Sequence, residues 1–290
     1  MKQPSFAWGK SGVCERSAYI LAIIAALSML LLAFACGPSA PEKGTPAYFW
    51  AAAHESYAAG DYLKTIDDLD GILDSDNEYT ARAVPWSLLL TSGLANGYAD
   101  LADHYQTGGK KNKETPGNFF KFVGSYRSQV GRLTLRFADN FAKYGNLKGD
   151  SVTLDFNFPP GSAEPVGQLE TVAGGNLLPS SVADQTEKLA LQRGVILAIA
   201  RAAGSPDDAA KAQATLKASQ GKITRNMYLV SMANCLFDAS QLYSERELND
   251  SEKEKILMDR ALEVIKPLPE SFETKDLGVR IRLAQKEPTT

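Results

Sequence analysis

From Pro46 onward the apolar side chains recur three or four positions apart, the spacing that lines one face of an α-helix. Thr45 can cap a helix whose first turn holds Pro46, with Phe49, Ala52, Ala53 and Ser56 on one side up to Gly60. Gly60-Asp61-Tyr62 makes a turn, and Ile66, Leu69, Ile72 and Leu73 form the next stripe. So short a turn forces the two helices to lie antiparallel. A polar stretch, Ser75 to Ala83, precedes a third helix opened by Pro85, with Trp86, Leu89, Leu90, Gly93, Leu94, Gly97, Tyr98, Leu101 and Tyr105 in register. Glycines on a buried face lower helix propensity but let a neighbouring helix approach closely. Gly108 to Gly117 reads as a basic loop, and Asn118 as the cap of a fourth helix carrying Phe119, Phe122, Val123, Tyr126, Val130, Leu133, Phe137 and Phe141. Four helices in sequence order are the start of a stack such as an α-solenoid builds.

Helical rhythm breaks between Gly145 and Ser181. Val152, Leu154, Phe156 and Phe158 alternate with polar residues, which is strand periodicity, and Pro159-Pro160-Gly161 ends it. A lone strand needs a partner, and Val279 to Leu283 is one candidate; lying across a groove is the other. Gly167 to Pro179, with Gly174-Gly175, reads as loop. Helix resumes at a capping box, Ser181-Val-Ala-Asp184, and runs to Gly204. Ser205-Pro206-Asp207-Asp208 signals another start, Met227 to Tyr243 a further helix, and Asp250 or Ser251 caps one that Pro267 and Pro269 stop. The fold class is therefore all-α, stacked antiparallel hairpins forming a solenoid or a helical bundle, with one short β-like segment near 152–158. The expected organisation is 46–144 as an N-terminal helical half, 145–181 as an irregular connector and 182–285 as a C-terminal helical half.

Two resemblances rest on particular residues. The stretch Phe49 to Leu73, with Ala53, Gly60, Asp61, Tyr62 and Leu69 in place, resembles one degenerate tetratricopeptide (TPR) repeat. Ser56, Thr65 and Ile72 depart from that pattern. Upstream, Lys2, Lys10 and Arg16 precede an apolar run from Ala18 to Ala35 that stops at Cys36-Gly37, the layout of an export signal. Its ending, Leu32 to Cys36, resembles a bacterial lipoprotein signal, with Ala33 and Phe34 as departures. That resemblance implies a signal peptide over 1–35, lipidation (palmitate included) at Cys36 and a tether over 36–45. An uncleaved transmembrane anchor is the other reading of the same run. Both keep the basic end in the cytoplasm and send the rest across the membrane.

Beyond residue 35, 255 of the 290 residues remain, enough for a sizeable core. With 44% hydrophobic and 22% charged residues and a net charge of −3, the chain lacks the basic excess of a nucleic-acid binder. Charge is nonetheless segregated. Residues 47–106 hold ten acidic side chains against two basic ones, and 107–148 hold nine basic against two acidic, so the two stretches carry −8 and +7. Compensation between neighbouring helices is one account, and a dipolar surface that orients a charged partner or a membrane is the other. Cys235 is the only cysteine in the body of the chain, which rules out an internal disulfide there and reads as a small buried hydrophobe.

Catalytic patterns are missing: no phosphate-binding glycine loop, no Gly-x-Ser-x-Gly elbow, and only His54 and His104, which lack partners at metal-ligand spacing. No cofactor or metal is expected. The leading expectation is a non-enzymatic, membrane-anchored envelope lipoprotein, outer-membrane or on the periplasmic face of the inner membrane, whose TPR-like scaffold presents a groove to an envelope protein partner. Tyr57, Tyr62, Trp86 and Tyr98 are candidate aromatic anchors, and His104 beside the basic loop a candidate polar group. The alternative is a periplasmic solute-binding or transporter-accessory subunit, or an enzyme of unrecognised type, with a pocket beneath Val152 to Pro160.

Overall fold

The structure, a computed structural model, describes residues 41–144, 149–244 and 248–286; the expected export segment and Cys36 lie outside them. Every described element falls in one compact unit, Lys43–Thr290. Ten helices and one small sheet follow in the order α1 (Pro46–Ala58), α2 (Tyr62–Leu73), α3 (Thr80–Lys111), α4 (Pro116–Tyr144), β1 (Ser151–Thr153), α5 (Gly167–Ala173), α6 (Ser180–Ala202), α7 (Ala209–Ala218), β2 (Lys222–Thr224), α8 (Arg225–Gln241), α9 (Ser251–Ile265) and α10 (Phe272–Ala284). The protein is all-α, as the periodicity implies.

Its organising element is α3, 32 residues long. Every residue from Ala83 to Ala95 is buried, so this helix is enclosed on all sides rather than along one stripe. α4 covers one side, α6 another, and α2, α5 and β1 close the remainder. A helix enclosed in this way is bundle geometry, and it joins the two helical halves through a shared centre. The buried polar side chains of α3 are satisfied locally. Thr91 Oγ1 donates to the Ser87 carbonyl at 2.8 Å, Ser92 Oγ to that of Leu89 at 3.1 Å, and Ser87 Oγ accepts from Asn140 Nδ2 at 2.8 Å.

The glycines of α3 set how closely α6 lies. A Cβ built on Gly93 would sit 2.7 Å from the Val195 Cα, one on Gly97 2.9 Å from the Ala190 carbonyl oxygen, and one on Gly194 2.1 Å from that of Gly93. The two backbones thus touch across a notch that no side chain can enter.

Several boundaries differ from the sequence reading, each for a local reason. Pro85 lies inside α3, not at its start. Asn77 accepts from Tyr79 N, Thr80 Oγ1 from Asn77 N, and the Tyr79 carbonyl from Arg82 N and Ala83 N, so an extra turn forms ahead of the proline. The expected basic loop at Gly108 is shorter. α3 continues to Lys111, because Gly108 is the position where the Val172 carbonyl and the Phe119 ring press against the helix, and α4 begins at Pro116 rather than after Asn118. Residues 167–173 are helix α5, not loop. α6 starts at Ser180 from the Pro179 carbonyl and has no side-chain cap, so Ser181 and Asp184 form no capping box. Ser205 to Asp208 is a turn closed by Asp208 N on the Ser205 carbonyl, and Asp208, not Ser205, caps α7.

The strand is real but short, and its partner is β2. Ser151, Val152 and Thr153 pair antiparallel with Thr224, Ile223 and Lys222, flanked by Leu154 N to Gly221 O and Arg225 N to Asp150 O, both 2.9 Å. Val279 to Leu283 belongs instead to α10, whose capping box at Ser271 and Thr274 commits it to helix.

Candidate functional site

Between α8 and α10 lies a groove of about 720 Å³ closed at one end by the C-terminus of α6. Thr224 caps α8 by accepting from Met227 N at 3.3 Å. From there Met227, Val230, Ser231, Asn234 and Asp238 recur at helical spacing toward the groove, while Tyr228, Met232, Cys235 and Leu236 turn to the core. The facing wall comes from Leu268, Pro269, Phe272, Asp276 and Arg280. Phe272 is 81% exposed, so α10 holds a large ring in water at the mouth of the groove. Only Leu277, Gly278 and Ile281 of α10 are buried, so this wall is a lightly held helix.

Charged groups frame the apolar floor. Arg201 Nη1 donates to Asp238 Oδ2 at 2.6 Å; Arg280 donates through Nη2 to Asn234 Oδ1 at 2.7 Å and through Nε to Asp276 Oδ2 at 2.9 Å. Burial works against the Arg201 charge, but the Cys235 sulfur and the Asp238 carboxylate outweigh it and raise its pKa. Cys235 itself lies behind this wall, 5% exposed, and burial pushes its thiol pKa up against the pull of Arg201. A buried, protonated thiol is a packing group, not a nucleophile. Among the described residues no group of three or more His, Cys, Asp or Glu is placed to hold a metal ion, and no helix is long and apolar enough to cross a membrane.

No family model, curated protein or solved structure matches this chain.

The residues singled out from sequence divide into three places. Tyr57, Tyr62 and Trp86 come together in one aromatic cluster with Trp50, His54 and Phe156. The Tyr57 ring lies 5.5 Å from Tyr62 and 5.3 Å from both Trp86 and Phe156, and Phe156 stacks on Trp86 at 5.0 Å. Tyr57 Oη donates to the Asn157 carbonyl at 2.8 Å, and Arg82 pairs with Asp155 while its guanidinium covers the Trp50 ring at 4.4 Å. Trp86 is fully buried and Tyr57 is 6% exposed, so neither presents a face to a partner, while Tyr62, 4% exposed, lines an opening of about 480 Å³ between α2 and α6. These rings fill the space under Phe156 and Asn157, within the Val152 to Pro160 segment beneath which the alternative reading expects a pocket.

Tyr98 lies elsewhere, 3% exposed against Tyr126, with both hydroxyls donating to the Glu187 carboxylate at 3.3 Å. Burial, reinforced by that carboxylate, pushes the Tyr98 pKa up to about 12. His104 stands two turns before the end of α3, its Nδ1 2.7 Å from the Asp100 carbonyl oxygen, and so is not beside a loop, because the helix runs on to Lys111. The groove residues escaped the sequence reading. Their one signal was that Met227 and Val230 place apolar groups on a face of α8 away from Tyr228, Met232 and Leu236, and that a phenylalanine follows Pro269 with no stripe around it.

Proposed function

We propose that this chain is a lipid-anchored cell-envelope protein that works by contact rather than catalysis, capturing an extended peptide segment of an envelope partner between α8 and α10. The observation that carries the reading is the groove: about 720 Å³, floored by Met227, Val230 and Leu268, with Phe272 held open to solvent beside it. Asn226 and Asp238 bound its α8 side, 12 residues apart. At 1.5 Å per helical residue that is roughly 18 Å, the length of five or six extended residues. Apolar side chains for an anchor and amide or charged groups for the backbone are what peptide capture requires. The N-terminal hairpin α1–α2, with its TPR-like turn, serves in this reading as scaffold, and Cys36 as the acylated attachment point. A solute-binding reading has less support, since aromatic rings fill the space under 154–158.

A photoreactive amino acid placed at Met227, at Phe272 and, outside the groove, at Ile256 tests this in the native envelope. The expected result is one partner crosslinked from Met227 and Phe272 but not from Ile256, and lost when Val230→Asp is added. Equal capture from Ile256, or capture unaffected by Val230→Asp, would remove the groove from consideration.

A further inference from the structure

The basic half of the chain is mostly claimed by neighbours. Arg136 bridges Asp67 and Asp70, Arg127 donates to Gln106, Arg132 to Gln129, and Lys143 to the Leu73 carbonyl. The exception is the tip where α3 ends and α4 begins. Lys110, Lys111, Lys113 and Lys121 are all exposed there, and none of them is in an ion pair among the described residues. Four lysines against Glu114 give residues 108–122 a charge of +3 in a chain whose total is −3.

Large apolar groups stand among these lysines. Phe120 is 45% and Phe122 38% exposed, although both open a helix that buries Phe119 and Val123 one turn along. A third contributor comes from distant sequence. Asn112 Nδ2 donates to the Gly175 carbonyl at 3.0 Å, and Gly175 lies against Lys111, so the α5–α6 link is fastened to the tip two residues before Leu177, itself 38% exposed. Fixing solvent-facing apolar side chains beside exposed ammonium groups, of which only Lys110 feels a nearby carboxylate, Asp103, yields the mixed chemistry of a bilayer interface: phosphates for lysine, the headgroup–acyl boundary for phenylalanine and leucine.

We propose that this α3–α4 tip is a docking surface for an anionic lipid bilayer, separate from both the groove and the N-terminal attachment. Each surface-proximal lysine contributes roughly fivefold to partitioning, so four of them with three apolar groups suffice for a reversible contact but not for permanent insertion. Such a contact would fix how the helical domain stands on the membrane.

The full chain, reconstituted in vesicles of phosphatidylcholine alone or of phosphatidylcholine with phosphatidylglycerol, allows a direct test by lysine acylation with a water-soluble reagent. In the anionic vesicles the four tip lysines are expected to react about tenfold more slowly than in neutral ones at low salt, with recovery at high salt. Lys217 and Lys255, exposed on α7 and α9, should react equally in both. Phe120→Ser, at a ring 45% exposed, should relieve part of the protection, with far-ultraviolet circular dichroism unchanged. Flotation with neutral vesicles reports separately on the N-terminal attachment. Equal tip reactivity in the two vesicles, equal slowing of Lys217 and Lys255, or the same protection by soluble polyglutamate would each overturn the proposal.

Discussion

Replacing Gly194 by alanine probes the contact that makes α3 the centre of the bundle. The added methyl would lie 2.1 Å from the Gly93 carbonyl oxygen, where carbon normally keeps about 3.5 Å from a neighbouring heavy atom. Backbone faces backbone, so no side chain can rotate away and the helices must part by about 1 Å. A gap of that size forfeits a quarter to a half of each dispersion contact along the crossing, and overpacking of this kind costs about 3 kcal/mol. Alanine recovers about 1 kcal/mol of helix propensity, leaving a net loss of about 2 kcal/mol or somewhat more. The same substitution at Gly124 or Gly131 on α4, where nothing lies within 4 Å of the new Cβ, should instead gain up to about 1 kcal/mol each. Urea titration followed by far-ultraviolet circular dichroism separates the outcomes: midpoint down for Gly194→Ala, up for the other two. A Gly194→Ala chain as stable as the parent would mean that α3 and α6 are not in backbone contact.

Two other expectations concern charge. Burial lowers the His54 pKa below 6.5, opposed by Asp155 and aided by Arg82. Below that pH the unfolded chain binds more protons than the folded one, so stability should fall as pH drops through 6.5 and level off once folded His54 also protonates. His54→Gln should flatten that segment of the stability–pH curve, measured by denaturation at a series of pH values; an unchanged slope assigns the acid sensitivity to other groups. Arg136, with its side chain 18% exposed, ties α4 to α2 through Asp67 at 2.7 Å and Asp70 at 2.5 Å. Arg136→Met should cost about 2 kcal/mol, between the values for exposed and buried pairs, and added salt should narrow the difference from the parent. A salt-independent difference would point to lost packing by the arginine stem.

Those ion pairs also show how far sequence reasoning reaches. Thr45 and Pro46 as the start of α1, the turn at Gly60, which lies in the left-handed region, the Ile66-Leu69-Ile72-Leu73 stripe and Asp250 as one of two candidate caps of α9 were all legible, because each is decided within one helical turn. The close approach at Gly93 and Gly97 was legible as well, though not the partner helix. Enclosure of α3 was harder to see. Ser87, Thr91 and Ser92 look like a solvent face until their hydroxyls are found bonded to carbonyls of the same helix or to Asn140. The partner of β1 depends on Gln220 and Gly221, both at positive φ, bringing β2 back across 70 residues of chain. Tyr57, Tyr62, Trp86 and Tyr98 carry the residue types of binding sites but fill the core, since aromatic rings serve both purposes and only burial distinguishes them. The groove is a product of tertiary packing, formed by segments about 40 residues apart, and leaves almost no local signature.

The proposed function depends first on where the chain resides, and the intact mass of the protein purified from the membrane fraction of its native cell tests that most directly. The expected species begins at Cys36 and carries the added mass of a diacylglyceryl group and an N-terminal acyl chain. A chain that retains Met1 and is recovered from the cytosol would contradict the account.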